Sequence, residues 1–468
     1  MGTWVVIFGF IFAVLLIFAS VKSYKKNRTA DEFMLAGSNI GAVLGILTFA
    51  AALFSAFTFL GMPDFFRVHG IGSWFFLAVS DSFMVFFIIW FSYHVRKKAK
   101  EHQFKGVAGM MSSIFGSKSV GYLVFANAFI FLIPYVAIQI RGVSIFLEAT
   151  FPGFLAPWGW SLSIIIVMLI YSEIGGLKAI IFSDAIQGII LLVVIWIIGI
   201  ASINYFGDIS SMFAKIEEVN KALLSVPGPK GLFSWQFLIG TLIAIMMIPV
   251  SQPQFTSRII IMKDLKSVHK MAIAIGVFAI IVIMPTIFIG MYGAVAYSGA
   301  DTKDFLSGAL LFDQAAPVGA LAVIGLIAAC LSTTNAQIFA LGSEIRSLLP
   351  GDEKSVMVKT KIAIFIFAII ALVFSLVSGD ELALLARVSF TGTSMMAPII
   401  LGGVISKRKP GKELIFLSSS AFLILLASLF NLIPGEMFSL KLDIILYTYL
   451  GLGFTISMLY RKHLLKGE

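Results

Sequence analysis

Charge is what this sequence has least of. Only 12% of its 468 residues are charged while 59% are hydrophobic, and a mean hydropathy of +1.01 leaves too little polar surface to keep such a chain in water. Cysteine is almost missing: Cys330 is alone, which excludes an intramolecular disulfide, and its apolar surroundings suit packing better than reactivity. His69, His94, His102, His269 and His463 are scattered without the spacing of a metal site. No glycine-rich loop ending in Lys-Ser or Lys-Thr is present to cradle phosphates. Enzymatic chemistry and ATP-driven work are therefore not expected, and an ion gradient is left as the energy source.

What the chain has instead is long apolar runs. An α-helix rises about 1.5 Å per residue, so roughly 20 apolar residues cross a bilayer core. Thirteen spans are predicted, at about 3–21, 40–66, 72–92, 120–147, 157–172, 180–205, 232–252, 270–297, 308–343, 361–379, 381–405, 413–431 and 441–460. The first lacks a basic leader and a small-residue cleavage site, so it reads as a retained span rather than a signal peptide. An odd count puts the termini on opposite faces. With the N-terminus outside and the C-terminus cytoplasmic, most of the 34 Lys and Arg residues fall on the inner segments, as lysine and arginine in short loops do. The net charge of +10 is thereby explained by topology and inner-face lipid, with no nucleic-acid partner. The expected location is the plasma membrane, or the inner membrane of a Gram-negative cell.

The spans group into an extra helix and basic loop at 1–39, a five-helix block at 40–205, an outer loop at 206–231, a second five-helix block at 232–405, and two C-terminal spans with a basic tail at 406–468. An odd number of helices per block inverts the second relative to the first, the arrangement in which transporters build a midplane site from broken helices. Gly240, Pro249 and Pro253 interrupt the first span of the second block. In the first block the crowding of Ala50, Ala51, Ala52, Ser55 and Thr58, ahead of Gly61 and Pro63, suits either a break or close helix packing. On the 308–343 helix, Ala329, Ser332 and Thr333 share a face. A carbonyl and two hydroxyls there, with two carbonyls from a facing broken helix, would make a five-coordinate Na⁺ shell. The alternative is that both hydroxyls bond their own preceding turn.

Four stretches together resemble the sodium:solute symporter family, solute carrier 5-like: DEFMLAGS at 31–38, GGLKAIIFSDAIQ at 175–187, QPQFTSRIIIMKDLKSVHK at 252–270 and ACLSTTNAQ at 329–337. The last is nearest to the proline and pantothenate branch. This resemblance implies an all-α, LeuT-like five-plus-five inverted repeat with flanking helices. It also implies sodium-coupled symport of a small polar solute by alternating access, with Na⁺ and the solute as partners, the bilayer as medium and no obligate protein partner. The sodium ligands it implies are Ser332, Thr333 and the carbonyls of Ala329, Ala51 and Phe54.

The resemblance also bears on the intramembrane acids. Asp184 is either part of an additional cation site, with Asn335 as a second oxygen donor, or a hydrogen-bonding group near the inner end of its helix. The implied substrate cavity offers Ser55, Phe57, Thr58, Asp81, Tyr135 and Gln139, and Arg141 would bind a carboxylate bidentately or else pair with Glu148. Sialic-acid-transporting relatives carry arginine where this chain aligns Tyr135, and proline-transporting relatives carry aspartate where it aligns Leu53. A carboxylate or amino-acid-like metabolite is therefore favoured over a sugar, and proline itself is not implied. Arg387 is expected to pair with Asp380 or Glu381. The rival readings are a proton-coupled transporter of the same fold and a transporter-like membrane sensor.

Overall fold

The computed structural model describes residues 1–24, 39–379 and 381–464. The 31–38 stretch and Asp380 lie outside them, as do the side chains of residues 171–176 and 178–179. The chain is helical almost throughout. It opens with α1 (Gly2–Tyr24) and α2 (Ala42–Leu53), then a π-helical turn at Phe57–Gly61 that runs into α3 (Met62–His69). Next come α4 (Ser80–Glu101), the short α5 (Val107–Phe115), α6 (Lys118–Thr150) and α7 (Pro157–Asn204). A surface helix, α8 (Ile209–Asn220), leads to three pieces, α9 (Trp235–Met246), α10 (Ile248–Ser251) and α11 (Pro253–Ile260). Then follow α12 (Leu265–Ala296), α13 (Thr302–Ser307), α14 (Ala316–Leu348), α15 (Glu353–Val377), α16 (Leu382–Ser394) and α17 (Ala397–Ile405). The last elements are α18 (Lys412–Leu429), a two-residue ladder of β1 (Glu436–Met437) with β2 (Leu440–Lys441), and α19 (Leu442–Leu464).

Aspartates at the ends of apolar runs mark several helix starts. Asp208, Asp264, Asp301 and Asp352 each accept a backbone N–H three residues on, from Ser211, Ser267, Asp304 and Ser355. Each satisfies a donor that the first helical turn leaves without a partner. The N–H of Ser267 also holds the Asp264 carboxyl below the usual carboxylate range. The loop expected at 206–231 thus contains a helix, α8, which buries Met212 and Ile216.

Among the described residues eight helices are long and apolar enough to cross a membrane, or ten with two bent pairs: α2 with Phe57–His69, bent by 59°, and α16 with α17, bent by 44°. The thirteen expected spans are not reached. Where three of them were placed, the apolar helices are shorter, at Gly2–Phe18, Pro157–Ile170 and Trp235–Met246. The last stops because the chain bends before Pro249. The break expected at 173–179 is also absent from the backbone, since α7 is helical from Pro157 to Asn204.

Burial separates the helices by role. The apolar stretches of α6 and α14 are 72% buried within the molecule, against 28% for α15, which shows Val358, Ile362, Phe365 and Ile366 on its surface. A polar solvent would penalise that face and lipid does not. The centre is formed by α14 against α6 and α7, while α12 packs on α2, α3, α4 and α7. At Gly290 in α12 an added Cβ would lie 2.5 Å from Phe66 Cβ and 2.6 Å from the Pro63 carbonyl, so only glycine lets α12 lie this close to α3.

Candidate functional site

The break after α2 frees four successive carbonyls, and each loss has a named cause. In a continued helix the carbonyls of Ala51, Ala52, Leu53 and Phe54 would accept from the N–H groups of Ser55, Ala56, Phe57 and Thr58. Instead Ser55 N–H goes to Thr58 Oγ1 (3.2 Å), Ala56 N–H to Gln139 Oε1 (2.9 Å), Phe57 N–H to Ser55 Oγ (3.1 Å) and Thr58 N–H to the Ser55 carbonyl (2.9 Å). Hydroxyl and amide side chains have captured three of the four donors that would have closed the turn, which is how Ser and Thr compete with helix. Of the released oxygens, those of Ala51 and Leu53 meet new partners.

Two of those partners are the hydroxyls on α14. Ser332 Oγ lies 3.0 Å from the Ala51 carbonyl and 2.9 Å from the Ala329 carbonyl, and Thr333 Oγ1 lies 3.3 Å from the Ala51 carbonyl. Ala51, Ala329, Ser332 and Thr333 are thus joined in one buried cluster of neutral oxygens. Both residues reach across to α2, and Ser332 bonds its own preceding turn as well. Such hard, uncharged oxygens suit an alkali cation. For Phe54 the geometry gives the release of its carbonyl, with no hydrogen bond tying it to the other four. The approach of the helices depends on small residues: Ala50, Ala51 and Ala52 are all buried, and Gly188 of α7 faces Ala51.

Asp184 is not a helix-end group. It lies deep in α7, fully buried, where its Oδ2 accepts from Thr48 Oγ1 (2.7 Å) and from Arg258 Nη2 (2.8 Å). Arg258 belongs to α11 and is only 2% exposed. It also donates to the Thr48 carbonyl and hydroxyl and to the Gln254 carbonyl, each at 3.1 Å. The stretch between the expected spans 232–252 and 270–297 is thus not a loop throughout, since Pro253–Ile260 is helical and Arg258 is buried. The nearest cation to Asp184 is therefore part of the protein. Asn335 is buried, and neither of its amide atoms has a hydrogen-bond partner among the described residues; the same is true of the Gln187 and Gln337 amides and of Asp184 Oδ1. Buried polar groups in that condition call for water, an ion or a solute.

Ser55, Phe57, Thr58, Tyr135 and Gln139, five of the substrate residues expected from the sequence, also converge. Tyr135 and Gln139, one turn apart on α6, meet Ser55: Ser55 Oγ lies 3.3 Å from Tyr135 Oη, and Gln139 Nε2 donates to Ser55 Oγ at 3.2 Å. Tyr135 Oη donates to the freed Leu53 carbonyl (3.2 Å), and its ring lies 5.3 Å from that of Phe390. Thr58 and Phe57 enter through the backbone bonds already described. Asp81 is buried in the first turn of α4. Arg141 lies apart from them. The face of α6 that meets α2 and its π turn carries Tyr135, Gln139 and Gly142, the last against Leu60 and Ala56, and at about 100° per residue Arg141 is turned from it. Glu148, the alternative partner, has Lys303 Nζ 3.3 Å from its Oε1, a contact that does not exclude Arg141.

Other expectations change as well. Gly240 does not break a helix: α9 passes through it, and it lies against Asp443 and Arg387. Pro249 and Pro253 stand at the starts of α10 and α11, where a missing N–H costs nothing. Between them the side chain of Gln252 reaches Thr393 on α16 (3.5 Å). Arg387 pairs with Asp443, donates to Thr241 (2.8 Å) and stacks over the Phe237 ring, so it ties α16 to α9 and α19. Glu344, which sequence reasoning passed over, is buried on α14 and accepts the N–H groups of Val107 and Ala108, at 2.8 and 2.5 Å. An acid so deep in an apolar span was the signal.

A model of the sodium:solute symporter family matches residues 33–413. The chain is 25% identical over 332 residues to the sodium/pantothenate symporter of Haemophilus influenzae, covering 69% of this chain and 66% of that one. It is 23% identical over 464 residues to the sodium/sialic acid symporter SiaT of Proteus mirabilis, covering 91% and 89%. Against the first several curated relatives it matches, the chain spans about half to two thirds of their length. A solved structure of a Na⁺-coupled sialic acid symporter superposes with a TM-score of 0.78 at 17% identity, over 98% of this chain and 96% of that one, which is a likeness of fold. These named neighbours are transporters and not enzymes. From the approach to α2 through to the start of α18 the match is continuous, and the chain belongs to the sodium:solute symporter family.

Proposed function

We propose that this protein couples the inward movement of Na⁺ to that of a small polar solute, a carboxylate or amino-acid-like metabolite, by alternating access in the plasma membrane. The observation that carries the reading is the convergence of the Ala51 and Ala329 carbonyls with the hydroxyls of Ser332 and Thr333 at a helix break. Sodium would be held by these four oxygens and by the Phe54 carbonyl. The solute would bind one turn away, on Ser55, Phe57, Thr58, Tyr135 and Gln139 with Asp81 beside them, so the same break serves both sites. Binding of one ligand then pre-orders the backbone that the other needs.

The two blocks, 40–205 and 232–405, are read as inverted repeats because each opens with a broken helix: α2 with its π turn and α3, and α9 with α10 and α11. The N-terminus is placed outside on the lysine and arginine distribution. A second cation at Asp184 and Asn335 is disfavoured, because Arg258 already neutralises Asp184. The same pair argues against Asp184 as a proton carrier. One Na⁺ descending about 100 mV and a tenfold gradient supplies roughly 2.3 plus 1.4 kcal/mol, enough to concentrate a neutral solute several hundredfold. The test is uptake into proteoliposomes of labelled amino acids, carboxylates, pantothenate and sugars under an inward Na⁺ gradient or an equal K⁺ one. Accumulation stimulated by Na⁺ is expected for one class. Accumulation driven only by a proton gradient would overturn the reading.

A further inference from the structure

The connection between α18 and α19 departs from the chemistry of a loop in water. Its two-residue ladder pairs Met437 with Leu440 and Glu436 with Lys441, so Phe438 and Ser439 form the turn, with φ of +54° and +59°. Both central residues of such a turn occupy the left-handed region, which Asn-Gly fills at least cost. Phenylalanine meets a steric penalty there, and at 95% exposure it buries almost none of its ring in return. Leu432 is 77% exposed, and Phe430 and Leu440 are exposed as well. Trp235, 81% exposed, stands beside them, because its neighbour Gln236 donates from Nε2 to the Ser439 carbonyl (2.8 Å) and accepts the Lys441 N–H (2.7 Å). Single exposed apolar residues are ordinary, whereas several on one connection mark an interaction surface.

We propose that this aromatic tip is seated in the interfacial layer of the bilayer, where headgroups meet acyl chains, and that it holds the start of α9 at that depth. Three observations select lipid as the occupant. The tip joins two consecutive apolar helices long enough to cross a membrane, so it emerges where they leave the hydrocarbon, the level at which aromatic side chains gather. The 18 residues of α18 rise only about 27 Å, short of a core of roughly 30 Å, which carries the hydrocarbon past Leu429 to Phe430 and Leu432. The exposed face also continues one already apolar, since Phe416, Leu423 and Leu429 are exposed along α18. No free charge is required: Arg387 is paired with Asp443, Lys441 lies over the Phe237 ring at 5.2 Å, and Glu436 is the ladder partner of Lys441. The tip and residues 465–468 adjoin opposite ends of α19. Ile40, next to residues 25–38, bridges to Met262 beyond α11, whereas the tip meets the start of α9. The second broken helix is thereby held differently at its two ends, α9 through Gln236 to the bilayer surface and α11 through Arg258 to α2 and α7. The inference is independent of sodium coupling, since it needs only that the chain lies in a bilayer.

The experiment is spin-label accessibility of the full-length protein in phosphatidylcholine nanodiscs that hold one copy each. A nitroxide is attached to F438C, to L423C within α18 and to K221C on the loop surface, where the Lys221 side chain is 81% exposed. Cys330 is buried, and wild-type protein treated alongside sets the background. Oxygen concentrates in lipid and a neutral nickel chelate in water, so the ratio of their collision rates reads the medium around each label. The ratio at F438C is expected to lie several-fold above that at K221C and to approach that at L423C. Should F438C fail to fold, L432C provides the same test. A ratio at the tip no higher than at K221C would put it in water and overturn the proposal. Low collision with both reagents would put protein over the tip and would overturn it too. The hold on α9 is read by hydrogen exchange in the same nanodiscs: F438D, and Q236A with the tip intact, are expected to speed exchange over Trp235–Met246 several-fold and to leave Glu353–Val377 unchanged. Exchange over Trp235–Met246 that stays at the wild-type rate in both variants would overturn that part.

Discussion

Replacing Ser332 by alanine separates a cation ligand from a strut between helices. Its hydroxyl touches two carbonyls, Ala51 at 3.0 Å and Ala329 at 2.9 Å, and Thr333 touches the first of these at 3.3 Å. Without sodium, S332A loses the Ala51 bond between α2 and α14 and one within its own turn. The first leaves Ala51 with a longer bond to Thr333, at a net cost of about 0.5–1.5 kcal/mol. With sodium, the loss is one oxygen of a cation shell. An interaction with a charged group is worth about 1.5–3 kcal/mol, so half-saturation by Na⁺ should rise roughly 10- to 150-fold, at about 1.4 kcal/mol per decade. The assay is thermal melting of purified protein titrated with NaCl against KCl at constant ionic strength, where stabilisation follows the logarithm of one plus the ratio of ligand concentration to Kd. The expected result is a modest drop in melting temperature in KCl and a much larger loss of the additional stabilisation that NaCl gives. If S332A melts lower in both salts by the same amount, Ser332 is only a strut and the sodium assignment fails.

Three further outcomes are expected. Asp184→Asn leaves the Arg258 guanidinium buried without its counter-charge, which should cost about 3–5 kcal/mol; if D184N/R258M melts no higher than D184N alone, the two are not energetically coupled. Tyr135→Phe removes the hydroxyl between Ser55 and the Leu53 carbonyl, and should raise the KM for solute several-fold while Na⁺-dependent melting stays near wild type; a Na⁺ response that falls with it would place Tyr135 in the cation site instead. Glu344→Gln puts an amide donor where two N–H groups converge and should destabilise the junction of α5 with α14 by about 1–3 kcal/mol, read as faster hydrogen exchange over residues 104–116; unchanged exchange there would refute the assignment of Glu344 as the cap of α5.

What the sequence makes legible follows the periodicity of side chains. Ala329, Ser332 and Thr333 can be placed on one face because three- and four-residue spacing is a local property of a helix. Their partner Ala51 needs a second helix at a known distance, and only the resemblance to the family supplies it. Arg258 falls between two expected spans for a related reason: PQFTSR has the composition of a loop, and its helicity comes from Pro253 restarting the chain after Gln252. Nothing local says that this turn faces Asp184, 74 residues earlier. Gly240 is the opposite error, a residue taken as a breaker where its small size admits Asp443 and Arg387 from other helices. Asp184 draws notice because an acid is costly in lipid, but whether it awaits an ion or already holds one depends on the fold.

The Arg258 guanidinium has a mechanical consequence. It joins α11 to Thr48 of α2 and to Asp184 of α7, and the Phe49 and Phe255 rings lie 4.9 Å apart across the same seam. At its end the backbones of Ile40 and Met262 are bridged as well, through Ile40 N–H to the Ile261 carbonyl and Lys263 N–H to the Ile40 carbonyl. Half-helices from the two blocks are thus riveted to each other beside the breaks that follow α2 and precede α11. In the proposed alternating-access cycle these half-helices would move together, because parting α11 from α2 and α7 would strip the buried Arg258 guanidinium of its counter-charge and of its bonds to Thr48.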